Sequence, residues 1–190
     1  MFSVYVVLLH YPIRNRQGQV VTTAVTNMDI HDIARSCCTY GVKKYFIVTP
    51  LEVQHGLVDG ILAHWKLEKN REYHPDRSKA LGLIELAYTF ENVKQEIRSA
   101  EGQEPEVVLT DAKVLPGSMS FVEYKKELTV PSRIRPSVIV FGTGWGIAEK
   151  FYPQADRILS PICGPDNNDG YNHLPVRAAV AVVLDRLLGV

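Results

Sequence analysis

Ser137-Val-Ile-Val-Phe-Gly-Thr-Gly-Trp-Gly-Ile147, Ile158-Leu-Ser-Pro-Ile-Cys-Gly164 and Tyr171-Asn-His-Leu-Pro-Val-Arg-Ala-Ala179 are the three stretches that decide the fold. A buried strand over residues 137–141 runs into a glycine-rich turn. A second short strand, over 157–159, runs into a turn of small residues. Asn172 then opens a terminal helix. Loops that expose backbone N–H and C=O groups beside a helix N-terminus make a cradle for an adenine-bearing cofactor, with few side chains needed. These parts stand late in the sequence, so the cofactor loops are expected among the last elements of the fold.

Gly142-x-Gly144-x-Gly146 invites comparison with the dinucleotide fingerprint, G-x-G-x-x-G with an acidic residue about 20 positions on. Ile147 stands where the third glycine belongs, and residues 159–163 hold no carboxylate. Both departures weigh against a nicotinamide-dependent oxidoreductase. The common Rossmann-like methyltransferases need several more strands after their glycine loop than this sequence supplies.

The order of the parts resembles the SPOUT, or α/β-knot, RNA methyltransferases. In that family a strand with a glycine loop precedes a strand with an apolar small-residue loop, and an Asn-x-Ser/Pro-Val-Arg/Ala helix threads back. The resemblance implies S-adenosylmethionine held bent among three loops around a trefoil knot. The cofactor-binding residues it implies are Leu109, Thr110 and Asp111 in the first loop, then Phe141, Gly142, Thr143, Gly144, Trp145 and Gly146. Leu159, Ile162, Cys163 and Gly164 follow in the third loop, with Asn172, His173, Leu174 and Val176 closing the site. A looser match lies upstream. Asn27-Met-Asp-Ile-His-Asp-Ile-Ala-Arg35, followed by Tyr40-Gly-Val42, resembles the first motif of the ribose 2′-O-methylating branch. Arg35 falls on the motif arginine, while Asp29 and His31 replace its asparagine and glycine. The catalytic residues implied are Arg35 and Asn172, and the acceptor is a ribose 2′-hydroxyl or a guanine nitrogen of tRNA or rRNA.

Composition sets bounds. At 190 residues, 46% hydrophobic and 22% charged, the chain reads as one globular domain, with a polar insertion at about 66–79. No apolar run approaches the ~18 residues of a membrane span. The start lacks a basic region and cleavage site, so no membrane association and a cytoplasmic location are expected. Three cysteines, two of them adjacent at Cys37 and Cys38, form neither a disulfide framework nor a metal-ligand spacing, and no metal is expected. Lys and Arg total 21 and so do Asp and Glu, so any RNA-binding charge must be local.

Residues 3–9 read as a strand covered on both faces, and residues 11–19 as a polar loop. Asp29 is expected to cap a helix that ends before Gly41, and Tyr45–Val48 to be the next strand. A helix follows over 54–69. A polar stretch over 66–79 that orders on a partner comes next. Asp76 or Ser78 then caps a helix running through Ile97. Residues 106–109 read as a strand and 121–126 as a helix. Together these give an α/β fold with a mainly parallel sheet of five or six strands.

The terminal helix over 174–188 is apolar almost all round. That calls for cover beyond one chain and, with the resemblance, points to a homodimer formed through the C-terminal helix and knot. Asn172 is read as its N-cap. Asp29, His31 and Asp111 are general-base candidates, and the loop over 165–170 is a candidate gate. Methyl transfer from a sulfonium needs alignment and one proton acceptor rather than a metal. The rival is a non-catalytic knotted dimer that binds the cofactor or RNA.

Overall fold

Six apolar residues without a polar interruption form strand β1 (Val4–Leu9), and every one of them is buried. Their alternation feeds two cores. Val4, Val6 and Leu8 face one layer of helices, and Tyr5, Val7 and Leu9 the other. In this computed structural model, which describes residues 3–165 and 171–190, β1 is central in a sheet of six parallel strands. The others are β4 (Tyr45–Val48), β5 (Ile84–Ala87), β6 (Glu106–Leu109), β7 (Ser137–Gly142) and β8 (Arg157–Ile158), in the order β5-β4-β1-β7-β6-β8. The mainly parallel α/β fold read from sequence is therefore present.

One face is covered by α1 (Asn27–Thr39), α2 (Glu52–Lys66), α4 (Pro75–Leu81), α6 (Phe121–Leu128) and α7 (Val176–Leu188). The other carries α5 (Phe90–Glu101) and a 3₁₀ helix, Glu149–Gln154.

Several local expectations are corrected. The stretch over 11–19 is part of a hairpin, not a polar loop: β2 (Ile13–Arg14) pairs antiparallel with β3 (Val20–Val21). Ile13 is wholly buried against the glycine-rich turn, where it bridges Ile147. Thr26, not Asp29, caps α1: its hydroxyl accepts from Asp29 N at 3.2 Å and donates to Asp29 Oδ2 at 2.5 Å. A hydroxyl that bonds both backbone and side chain three residues on outcompetes a carboxylate inside the first turn.

The stretch over 66–79 folds within the monomer as α3 (Glu68–Tyr73) and α4, the latter with proline at its first position. The single helix expected from Asp76 or Ser78 to Ile97 is interrupted. Gly82 ends α4, Ile84–Ala87 joins the sheet, and Thr89 caps α5 in a reciprocal box with Asn92. Short strands with half-buried edges lack the long apolar run that betrays β1.

The N-terminal edge of β6 and β7 is sealed by polar groups. Glu106 Oε2 accepts from Tyr124 Oη at 2.8 Å and from Arg133 Nη2 at 2.5 Å. Ser137 Oγ accepts from Arg133 Nη2 at 2.7 Å and lies 2.9 Å from Tyr124 Oη, and Arg157 Nε lies 3.9 Å from Glu106 Oε1. Burial, foremost, keeps the Tyr124 phenol protonated.

Candidate functional site

β7, β6 and β8 lie side by side and parallel, so the loops that follow them leave one edge of the sheet. Thr110 continues the ladder, donating from N and Oγ1 to Val140 O at 3.1 and 2.9 Å. The loop after β6 returns beside β8: Met119 N donates to Ile158 O, and Ser160 N to Met119 O, both at 2.8 Å. The segment before α7 touches this loop through Asn172 Nδ2, which donates to Ala112 O at 3.0 Å. The structure thus brings together the three loops and the closing segment read from sequence.

The glycines of the middle loop differ in purpose. A Cβ on Gly142 would meet Ile147 Cγ1 at 2.5 Å, so that position is small for packing. Gly144 (φ +56°) lies under the hairpin, 3.2 Å from Ile13 Cγ2 and 3.3 Å from Thr23 Cγ2 measured from the same virtual atom. At Gly146 (φ +95°) the missing Cβ faces only side-chain ends, Arg14 Nη2 at 3.5 Å and Asp111 Oδ2 at 3.9 Å. The hairpin is bound to this loop by backbone: Arg14 N donates to Gly146 O at 2.9 Å, and Trp145 N to Arg14 O at 3.3 Å.

A polar chain runs beneath the loop. His10, fully buried at the end of β1, pairs through Nδ1 with Thr23 Oγ1 at 3.0 Å. Thr23 Oγ1 meets Thr143 Oγ1 at 2.5 Å, and Thr143 Oγ1 donates to Leu9 O at 3.2 Å. His10 Nε2 is enclosed without a partner among the described residues. Burial pushes the imidazole pKa down to about 4, only partly opposed by the Asp29 carboxylate, so the ring is neutral at ordinary pH.

Arg14 reaches this edge from the hairpin. Nη1 makes a long contact, 3.5 Å, with the exposed Glu149, and Nε is enclosed with no acceptor among the described residues. Asp111 accepts from Lys113 N at 2.9 Å and from Tyr152 Oη at 3.2 Å. Burial first, then the Asp111 carboxylate, raises the Tyr152 phenol, with Arg14 opposing. These residues fit an adenine-bearing cofactor. Three loops offer backbone edges, Gly146 leaves room, and a guanidinium N–H lacks an acceptor. Among the described residues no His, Cys, Asp and Glu cluster could hold a metal ion.

The other predicted site residues divide in three. Leu109, Phe141 and Leu159 are core side chains at the ends of the strands, and Leu109 O accepts from Leu159 N at 2.9 Å. Ile162 and Val176 pack partly on the core, while Trp145, Cys163, Gly164, His173 and Leu174 are exposed. Asn172 does not cap α7; Pro175 occupies that position without a side-chain bond, because the asparagine is turned to Ala112. Of the candidate gate at 165–170, residues 166–170 lie outside the described residues.

Arg35 is not at this edge. It is exposed on α1 and lines a groove of about 460 Å³ with Tyr73, His74 and Arg77. Asp32, three residues before it, pairs instead with Arg177 Nη1 at 2.8 Å; Arg177 Nε also lies 3.8 Å from Asp29. With Thr26 and Arg177 on it, Asp29 is engaged and not a free base. His31 stands edge-on to Trp65, and burial foremost lowers its pKa.

His10, Arg14, Thr23 and Tyr152 were not read from sequence. A histidine directly after an apolar strand was the one signal available.

The model of a family described as SAM-dependent RNA methyltransferase matches residues 3–189. A tRNA (guanine-N(1)-)-methyltransferase of Oleidesulfovibrio alaskensis is 40% identical over 98% of this chain. The chain spans only 42% of that relative's length. An uncharacterized protein of Aquifex aeolicus is 38% identical over 97% of this chain and 88% of its own. Among solved structures, a TrmH/SpoU tRNA modifying enzyme of A. aeolicus superposes with a TM-score of 0.57 at 16% identity, covering 98% of this chain and 73% of that one.

Proposed function

We infer the reaction from membership: the chain belongs to the family of S-adenosylmethionine-dependent RNA methyltransferases. The donor's adenosine is assigned to the loops at 109–112, 141–146 and 159–164, closed by 172–179. The convergence of three parallel strand ends, with Asn172 bonded to Ala112, carries that assignment. Bound there, S-adenosylmethionine supplies a methyl group on a positively charged sulfur, which needs no further activation.

The chain's own work is then alignment, exclusion of water and removal of one proton from the acceptor. Alignment can supply much of the rate, and a base contributes about 10²–10⁴-fold. Asp111, in the first loop, is steadied by Tyr152 Oη and Lys113 N. Asn172 holds the closing segment to that loop.

The acceptor is guanine N1 of a tRNA, the atom named for the relative from O. alaskensis. RNA lies along the groove of Arg35, Tyr73 and Arg77. Neither guanidinium has a carboxylate partner among the described residues, and Tyr73 is 80% exposed. Unpaired guanidinium and an exposed ring suit phosphate and base. Arg35 reaches the donor of a second copy in a homodimer. Leu174 is exposed and Val176, Ala179 and Val182 are only half-buried, which leaves apolar surface on α7 for that copy. The closing segment threads the loop after β6 as a trefoil knot. Among the described residues no helix is long and apolar enough to cross a membrane, and the cytoplasm, where tRNA is, is the assigned compartment.

Transfer of a labelled methyl group to tRNA, followed by digestion to nucleosides, tests this reading. 1-Methylguanosine is expected. A ribose-methylated nucleoside would move the acceptor to the 2′-hydroxyl, and no transfer to any RNA would overturn the reading.

A further inference from the structure

We propose that Arg14 and Asp111 grip the amino-acid end of the methyl donor, Arg14 its carboxylate and Asp111 its ammonium; this rests on the donor site proposed above. The two side chains come from different elements, the hairpin and the loop after β6, and converge on Gly146. Arg14 Nη2 and Asp111 Oδ2 lie 3.5 and 3.9 Å from the point where a Cβ of that glycine would stand. Yet they form no ion pair with each other. Among the described residues the Arg14 side chain makes its long contact to Glu149, and its Nε has no acceptor. A guanidinium and a carboxylate held near each other but unpaired, in partly buried surroundings, leave electrostatic interactions unmade.

A ligand that carries both charges at one end completes both. An α-amino acid does so, and adenosine alone does not. The guanidinium fork suits a carboxylate with two N–H bonds. Asp111 is steadied by Tyr152 Oη and Lys113 N, which leaves carboxylate lone pairs for an ammonium. Backbone bonds between Arg14 and residues 145–146 fix the approach of the guanidinium whether or not a ligand is bound. Gly146 is then needed because any side chain would fill the space where the amino-acid end enters.

Calorimetric titration with two thioethers tests this. S-adenosylhomocysteine keeps the amino-acid end, and 5′-methylthioadenosine lacks it. The wild type is expected to prefer S-adenosylhomocysteine at least ~10-fold, the scale of a charged hydrogen-bonded pair. Arg14→Met and Asp111→Asn should each cut its affinity about 10-fold and leave methylthioadenosine binding unchanged. Equal losses for both ligands would mean that these residues only shape the loops, and would overturn the proposal. So would equal wild-type affinities. If the wild type bound neither ligand, the donor site itself would fall, a result distinct from the other two. Melting curves of each variant separate lost binding from lost folding.

Discussion

The two ends of β6 and β7 are built on opposite plans. At the N-terminal end, Glu106 is 5% exposed and held by Tyr124, Arg133 and, at longer range, Arg157, with Ser137 closing the ring. At the C-terminal end, His10 Nε2 and Arg14 Nε have no partner among the described residues, two glycines take positive φ, and three loops present backbone. The closed end bonds its polar groups to each other, with Arg133 Nε alone lacking an acceptor among the described residues. The other holds them in reserve for something not part of the chain. The difference teaches where function sits on this pair of strands: only the open end joins unsatisfied polar groups to positive-φ glycines and loop backbone that a ligand can complete.

Removing a partner at the closed end should have the largest effect. Glu106→Ala leaves the Arg133 guanidinium buried without its counter-charge. A loss of about 3–5 kcal/mol is expected by denaturant unfolding. S-adenosylhomocysteine affinity of the folded fraction should stay at its wild-type value. A loss below about 1 kcal/mol would place the network with ordinary surface ion pairs and erase the contrast.

His10 gives the next effect, in pH. Its folded pKa, about 4, lies below the ordinary histidine value of 6.5. The unfolded chain therefore binds the proton first as pH falls, and stability present above 6.5 drains away down to about 4. The drop should approach roughly 3 kcal/mol in wild type. His10→Asn, whose amide can replace the Nδ1 bond to Thr23, should show that much less acid sensitivity over the same window. Equal slopes would mean that the imidazole is wetter than its burial implies.

Arg35→Ala and Arg77→Ala are expected to weaken tRNA binding about 10-fold each in a filter assay, with stability changed by under ~0.5 kcal/mol. Unchanged binding would move the RNA to another face. Smallest is Thr143→Val, which removes the hydroxyl shared with Thr23 and Leu9 O. It should cost about 1 kcal/mol in thermal unfolding and slightly raise hydrogen exchange in the glycine loop. No change in that loop would mean that the polar chain from His10 does not support it.

The strands that precede the candidate loops were legible because parallel strands buried on both faces leave largely apolar runs: 106–109 and 137–141 read true to within a residue. β5 was not, because Glu85 and Leu86 are only half-buried, and Leu83, Leu86 and Phe90 fit a helical period as well as a strand and a cap. Asn172 was misread as a cap since its local chemistry allows one; its bond to Ala112 spans 60 residues and leaves no local trace. The same holds for Arg14. It sat in a stretch that looked merely polar, and only pairing of Ile13 with Ile147 carries it to Gly146. Contacts made by tertiary folding alone were the part that sequence periodicity could not reach.

Hydrogen–deuterium exchange with and without S-adenosylhomocysteine addresses the two ends at once. Slower exchange is expected at 110–113, 143–147 and 159–164, with the closed end around 129–137 unaltered. Protection confined to the N-terminal end, or none at saturating ligand, would contradict the assignment of the donor to the C-terminal edge.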